Sequence, residues 1–344
     1  MNVLLHAARI AVNAARVAIG WLAYLATGRT PAFSYQAFIR LFCLTGGRSN
    51  DMISQALALA NPPASLPDTC GVLGDAIRTE SAAAIESLRS RGYYVFQRRL
   101  PDDICDRLMR YALEHPCELR ADDAGARAST GKRSYAAERA RPAATRYDFT
   151  MQDLVDNPEV QALLADPALL EVAQGYLGSR PVADVLGLWW NTAYAPAPSS
   201  EAAQYFHFDL DRPKWVKFFV NLTDVTDESG PHTFVQGSHR SGGIPASLLA
   251  KGYTRLSDEE VGASFAPDRR VEFLGPRGTI LAEDSRGLHK GKNVASGDRL
   301  MLQLQFSNSL FGATYAPVRV SEFRSDAFRE LAARYPAVYQ AFVG

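Results

Sequence analysis

At 344 residues, with 47% apolar and 22% charged side chains, the chain can bury a substantial core as one large domain or two small ones. Lysine plus arginine and aspartate plus glutamate both total 37, so no broad basic field marks nucleic acid as the partner. Cys43, Cys70, Cys105 and Cys117 form no Cys-x-x-Cys pair, which argues against a zinc ribbon or disulfide framework and fits a reducing, cytoplasmic compartment.

Residues 1–60 read mostly as helix. Leu5, Ala8, Val12, Ala15, Ile19 and Leu22 recur at helical spacing, with His6, Arg9, Asn13 and Arg16 opposite them. The uncharged run 17–27 is only eleven residues, too short to cross a bilayer. The first expectation is a helix packed on the domain or on a partner. A membrane-surface helix and a cleaved signal are the second and third readings, so peripheral membrane association stays open. Asn61, Pro62, Pro63 and Pro67 mark a breaker-rich linker. It divides a helical extension, 1–67, from a main domain, 68–344.

A helix is expected over 80–91, ended by Gly92, then a strand over 93–97 and a helix from Pro101 to about His115. Residues 120–146 are basic and poor in large apolar side chains, with Arg127, Lys132, Arg133, Arg139, Arg141 and Arg146. This segment is a candidate lid or binding loop; a solvated surface loop is the plain alternative. Residues 152–177 read as helix and 186–194 as an aromatic strand entering the core. Strands follow at 204–209 and 215–222, the latter with Lys217, Phe219 and Asn221 on one face. Residues 228–231 form a turn before Phe234, and a closing helix is expected over 321–343.

The chemistry gathers around His207-Phe208-Asp209 and His289. On an extended segment residues i and i+2 point the same way, so His207 and Asp209 can each give one ligand to the same ion. A histidine from another strand completes a three-ligand face and leaves other positions open, the arrangement of non-haem Fe(II) oxygenases. Ten residues beyond His289, Arg299 opens a strand with strict alternation. Arg299, Met301, Gln303, Gln305 and Ser307 share one face; Leu300, Leu302, Leu304 and Phe306 share the other. In a barrel the polar face lines a cavity, where an arginine can grip a dicarboxylate. The plainer reading of Arg299 is a strand-edge pair with a carboxylate such as Asp298. His239 reads as part of a turn, His232 as a residue within reach of the pocket, and His6 and His115 as uninvolved. Asp211, Arg212, Lys214 and Lys217 read either as internal ion pairs or as a charged rim facing a substrate.

From about Gln204 to Ser307 the sequence resembles the phytanoyl-CoA dioxygenase family of Fe(II)- and 2-oxoglutarate-dependent oxygenases. Residues 86–96, Leu100-Pro101-Asp102, Asp166 to Leu170 and Tyr176-Leu177-Gly178 extend the resemblance over roughly 80–310. The resemblance implies a mostly β core with flanking helices, a double-stranded β-helix (jelly roll, cupin-like) with a helical N-terminal extension. It implies His207, Asp209 and His289 as ligands to Fe(II), Arg299 as the anchor for the C5 carboxylate of 2-oxoglutarate, and O2 as the other co-substrate. Gln204 and Asn221 are further candidate contacts to the co-substrate. The sequence departs from the family pattern at Phe208, between the ligands, and at Gly291, after the distal histidine.

The implied activity is hydroxylation of a small organic substrate, with release of succinate and carbon dioxide. Asp209 supports hydroxylation, because related halogenases carry a small residue there. The basic 127–146 segment with Lys214 and Lys217 suggests an anionic or polar substrate. No obligatory protein partner is expected. A second class stays open: a jelly roll without redox chemistry, either a zinc hydrolase or isomerase or a ligand-binding module. Arg299 discriminates, because a hydrolase needs no dicarboxylate anchor.

Overall fold

The computed structural model describes residues 3–66, 71–120 and 131–342. The expected boundary at 67/68, Cys70 and Arg127 lie outside the described residues.

Among the described residues, ten strands build two facing sheets. They are β1 (Tyr93–Val95), β2 (Glu118–Arg120), β3 (Arg146–Phe149), β4 (Val182–Thr192), β5 (Trp215–Asn221), β6 (His232–Val235), β7 (Arg270–Phe273), β8 (Ile280–Glu283), β9 (His289–Gly291) and β10 (Asp298–Ser307). The larger sheet runs β1-β8-β5-β10-β4-β3-β2 and the smaller β7-β6-β9, all neighbours antiparallel. This is the expected jelly-roll core with flanking helices.

The alternation along β10 decides how the sheets face each other. Leu300, Leu302, Leu304 and Phe306 are buried with Val216, Phe218 and Val220 of β5, beneath the helices Ser81–Ser90, Asp102–Glu114 and Pro167–Leu177. Met301, Phe219, Trp189 and Leu281 on the opposite face meet Phe234 and Phe273 of the smaller sheet. The space between the sheets is therefore half apolar core and half cavity.

The helix before β1 ends at Gly92 as expected. Gly92 has φ +96°, and a Cβ there would meet His239 Nδ1 at 2.5 Å, so both backbone and space demand glycine. Other expectations need correction. The stretch 152–177 is three helices, Met151–Val155, Pro158–Leu164 and Pro167–Leu177, because Pro158 and Pro167 lack the N–H that would continue a helix. Asn157 and Asp166 cap the new starts. The closing helix is only Asp326–Arg334, stopping short of Pro336. The basic 120–146 stretch is not wholly irregular: its ends belong to β2 and β3, and Tyr135–Glu138 is helical. Residues 204–209 are not a regular strand. Their ladder contacts are isolated bridges, Phe206 to Leu256 and His207 to His289, with Asp209 N donating to Ser285 O beyond them.

The N-terminal helices are α1 (Val3–Thr27), α2 (Ala32–Thr45) and α3 (Arg48–Ala60). α1 packs on α2, but through the face opposite to the expected one. Asn13, Val17 and Gly20 are buried, whereas Leu5, Val12, Ile19 and Leu22 are 49–69% exposed. Gly20 explains the choice: a Cβ there would collide with Ser34, so the two helices cross most closely on that side. Phe38, Leu41 and Phe42 of α2 then join Phe206, Phe208, Leu210 and Phe311 in one apolar cluster.

Candidate active site

The extended backbone from Phe206 to Asp209 turns alternate side chains to opposite sides. Phe208 turns away from the cavity and stacks on Phe42, with ring centroids 5.5 Å apart. His207 and Asp209 turn inward. His207 and His289 face each other as a backbone pair, His207 N donating to His289 O at 2.9 Å and the reverse bond measuring 2.8 Å. That pairing sets the two imidazoles 4.2 Å apart, centroid to centroid.

Both rings are fixed in the same tautomer. His207 Nδ1 donates to Tyr205 O and His289 Nδ1 to Gly287 O, each at 2.9 Å. Each Nε2 is left as a lone pair aimed at Asp209, 3.8 Å from Oδ1 for His207 and 3.5 Å from Oδ2 for His289. One ligand atom from each of the three residues lies within 4.8 Å of the others. Burial, reinforced for His207 by the neighbouring His289, pushes both imidazoles toward the neutral form. Burial works to raise the Asp209 carboxyl, but the Lys217 ammonium, by its charge and its hydrogen bond, outweighs it and holds the group well below the usual carboxylate range. Two neutral imidazoles and one carboxylate, convergent on one point, fit a divalent transition-metal ion.

A second layer holds Asp209. Its Oδ2 accepts from Lys217 Nζ at 2.6 Å and Ser285 Oγ at 2.9 Å. Ser285 Oγ in turn accepts from Trp215 Nε1 at 2.8 Å, and Asp209 N donates to Ser285 O at 2.8 Å.

Arg299 is fully buried at the other end of the same cavity. One Nη donates to Gly230 O and the other to Asn191 Oδ1 at 2.9 Å; Nε has no partner among the described residues. No described carboxylate pairs with it. Asp298 instead binds Arg139, at 2.6 Å, and the Tyr135 hydroxyl, at 2.8 Å, so the strand-edge pair is not formed. Burial and the nearby Arg146 lower the Arg299 guanidinium to about 9, still charged at neutral pH. A buried cation without an anion is costly, and a carboxylate entering the cavity would complete it. Gly230 permits the contact through φ +71°; a Cβ there would strike Lys292 O at 2.5 Å.

The cavity between the two ends is about 370 Å³. The polar face of β10 lines it through Met301, Gln303 and Gln305, as the alternation anticipates. His232 lies in the wall, with its Nε2 2.8 Å from Glu283 Oε2. Burial lowers His232 to about 3 and raises Glu283 to about 8, so the pair is neutral acid and neutral imidazole. Arg120, Arg146 and Arg255 stand in the remaining wall, with Asp211, Tyr253 and Tyr315.

Two expected contacts fall elsewhere. Gln204 accepts from Ser199 N at 2.7 Å and donates to Asn293 at 3.0 Å; it locks a loop and does not line the cavity. Asn221 shares a strand face with Lys217 and stands opposite Met301, but Asn221 itself is not among the lining residues. The charged cluster divides. Arg212 is bidentate to buried Asp184, at 2.7 and 2.8 Å, and Lys214 lies on the Tyr176 ring; Asp211 and Lys217 face the cavity. His239 is structural, donating to Arg89 O at 3.2 Å. Reasoning from residue order overlooked Asn191, Ser285 and Glu283. Asn191 is opposite Arg299 in the β4–β10 ladder, a relation that depends on strand register.

The model of the phytanoyl-CoA dioxygenase (PhyH) family matches residues 88–300, more than half of the chain. The chain belongs to this family. It is an enzyme of the Fe(II)- and 2-oxoglutarate-dependent oxygenase kind, whose cofactor set is Fe(II), 2-oxoglutarate and O2. No curated protein matches the sequence. Among solved structures, the 2-oxoglutarate-dependent epimerase SnoN from nogalamycin biosynthesis is 18% identical with a TM-score of 0.45, over 67% of this chain and 83% of that one. The carbocyclase SnoK from the same biosynthesis is 16% identical with a TM-score of 0.44, over 65% and 82%. HygX from Streptomyces hygroscopicus, with nickel and 2-oxoglutarate bound, is 16% identical with a TM-score of 0.46, over 70% and 91%.

Proposed function

We propose that this enzyme hydroxylates a small, anionic organic substrate and releases succinate and carbon dioxide from 2-oxoglutarate. His207 and His289, through Nε2, and Asp209, through its carboxylate, are the residues that would hold Fe(II). Bound there, the metal supplies the coupling between oxidative decarboxylation of 2-oxoglutarate and oxidation of a substrate C–H bond. Arg299 would receive the C5 carboxylate of 2-oxoglutarate, with Asn191 and Gly230 O holding the guanidinium in place. Asp209 favours hydroxylation over halogenation, since its carboxylate occupies the position a halide would need. Arg255 in the wall, together with Arg120 and Arg146, which share the single carboxylate of Asp148, favours an anionic substrate. Residues 1–67 act in this reading as an extension of the oxygenase domain, 68–344, bracing the ligand segment from behind through Phe42 and Phe208.

The observation that carries this reading is the buried, anion-free Arg299 in the same cavity as the three convergent donors. Anaerobic addition of Fe(II) and 2-oxoglutarate should produce a weak visible charge-transfer band, and Arg299→Leu should remove both the band and succinate formation. If Arg299→Leu leaves both intact, the assignment of Arg299 is wrong. The substrate class is tested by screening anionic and neutral metabolites for stimulated succinate release. Stimulation by neutral compounds alone would reject the anionic class.

A further inference from the structure

α1 carries apolar side chains on two opposite faces, and a water-exposed helix needs a partner for each. Its inner face has one: Val17, Trp21 and Tyr24 pack into the cluster built around α2 and Phe311. Its outer face, directly opposite, carries Leu5, Val12, Ile19 and Leu22, at 49%, 52%, 58% and 69% exposure. Among the described residues, sixteen large apolar side chains are exposed, and ten of them lie before residue 60. On the other side of α1, lined by Ile10, Val17 and Trp21, an apolar groove of about 830 Å³ runs between α1, α2 and α3.

Charge selects the occupant. The first acidic residue in the chain is Asp51, and before it stand Arg9, Arg16, Arg29, Arg40 and Arg48. All five arginines are exposed. A chain that is neutral overall thus carries five positive charges and no negative ones in its first 50 residues. Arg9 and Arg16 flank one edge of the apolar stripe, the arrangement of a helix lying at a lipid interface. A second copy of the chain is a poor occupant, because a two-fold contact would set like-charged edges together with no acid to offset them. Crossing a bilayer is also disfavoured, because Asn13 and the α2 contacts occupy the inner face.

We propose that the outer face of α1 docks the enzyme on an anionic phospholipid bilayer, with the helix in the plane of the headgroups. The test is flotation of the full chain with phosphatidylcholine vesicles, with and without phosphatidylglycerol. Binding should require phosphatidylglycerol and fall steeply as salt is raised. Val12→Glu with Ile19→Glu should weaken binding about tenfold or more, as charge enters the apolar face. Arg9→Glu with Arg16→Glu should weaken it about tenfold and flatten the salt dependence. Both pairs should keep the native circular dichroism and the anaerobic 2-oxoglutarate band, since none of the four residues touches the cavity. The proposal fails if the chain does not float, or floats equally without phosphatidylglycerol. It also fails if the glutamate variants bind like the native chain, if binding resists alkaline carbonate extraction, or if α1 instead drives a dimer that Val12→Glu abolishes.

Discussion

Arg299 and Asn191 stand opposite each other in the β4–β10 ladder, and the amide oxygen of Asn191 accepts from the guanidinium at 2.9 Å while also accepting from Trp189 Nε1 at 2.9 Å. The amide orients the cation without neutralising it, leaving its charge for an entering carboxylate. Asn191→Ala should therefore weaken 2-oxoglutarate about tenfold through lost orientation, roughly the cost of one hydrogen bond to a charged group. Asn191→Asp should weaken it further, by about a hundredfold, because a resident carboxylate would compete for Arg299. Anaerobic titration of the charge-transfer band measures both; a tighter-binding Asn191→Asp would contradict this account.

Ser285 connects Trp215 to Asp209 through two hydrogen bonds of 2.8 and 2.9 Å. Its removal frees the carboxylate to rotate. Ser285→Ala should lower Fe(II) affinity by about 10- to 100-fold, the usual cost of losing a partner behind a metal ligand. Competition with a chelating dye gives the affinity; no change would mean that Lys217 alone orients Asp209.

Phe42 reaches from α2 to stack on Phe208, the residue between two candidate ligands. Phe42→Ala should cost about 3–5 kcal/mol of stability by leaving a cavity in a buried cluster. It should also lower metal content after purification, because the ligand segment loses its support. Urea melts and metal analysis read the two effects. A destabilised protein that retains full metal would show that bracing and ligation are independent.

His239 is buried, and desolvation lowers it from 6.5 to about 4. A group depressed on folding stabilises the native state fully above its unfolded value and progressively less as pH falls toward its folded value. Between pH 6.5 and pH 5 this histidine should cost roughly 2 kcal/mol. His239→Gln keeps a donor for Arg89 O but does not titrate, so its melting temperature should fall less steeply over that interval. Parallel slopes for the two proteins would place the acid sensitivity elsewhere.

The sequence carries its clearest signals where chemistry and periodicity are local. The two-residue spacing of His207 and Asp209 dictates a shared direction in any extended backbone, and that held although the segment makes only isolated bridges. The strict alternation from Arg299 to Ser307 likewise anticipated one face in the core and one in the cavity. The same logic misjudged α1. Apolar residues on both sides of that helix left periodicity unable to say which face turns inward, and the close crossing of Gly20 with Ser34 decided it. Gln204 was misplaced because nearness in sequence to a site residue does not set where its amide bonds, here to Ser199 and Asn293.

Residue order alone thus determined the donor types, the strand that lines the cavity and the family, since each depends on identity and short-range spacing. The convergence of His289 on His207, the pairing of Asn191 with Arg299 and the outward turn of the α1 stripe belong to the tertiary structure. Those relations join residues 82, 108 and 14 positions apart, and only strand register and helix crossing bring them within a few ångströms of one another.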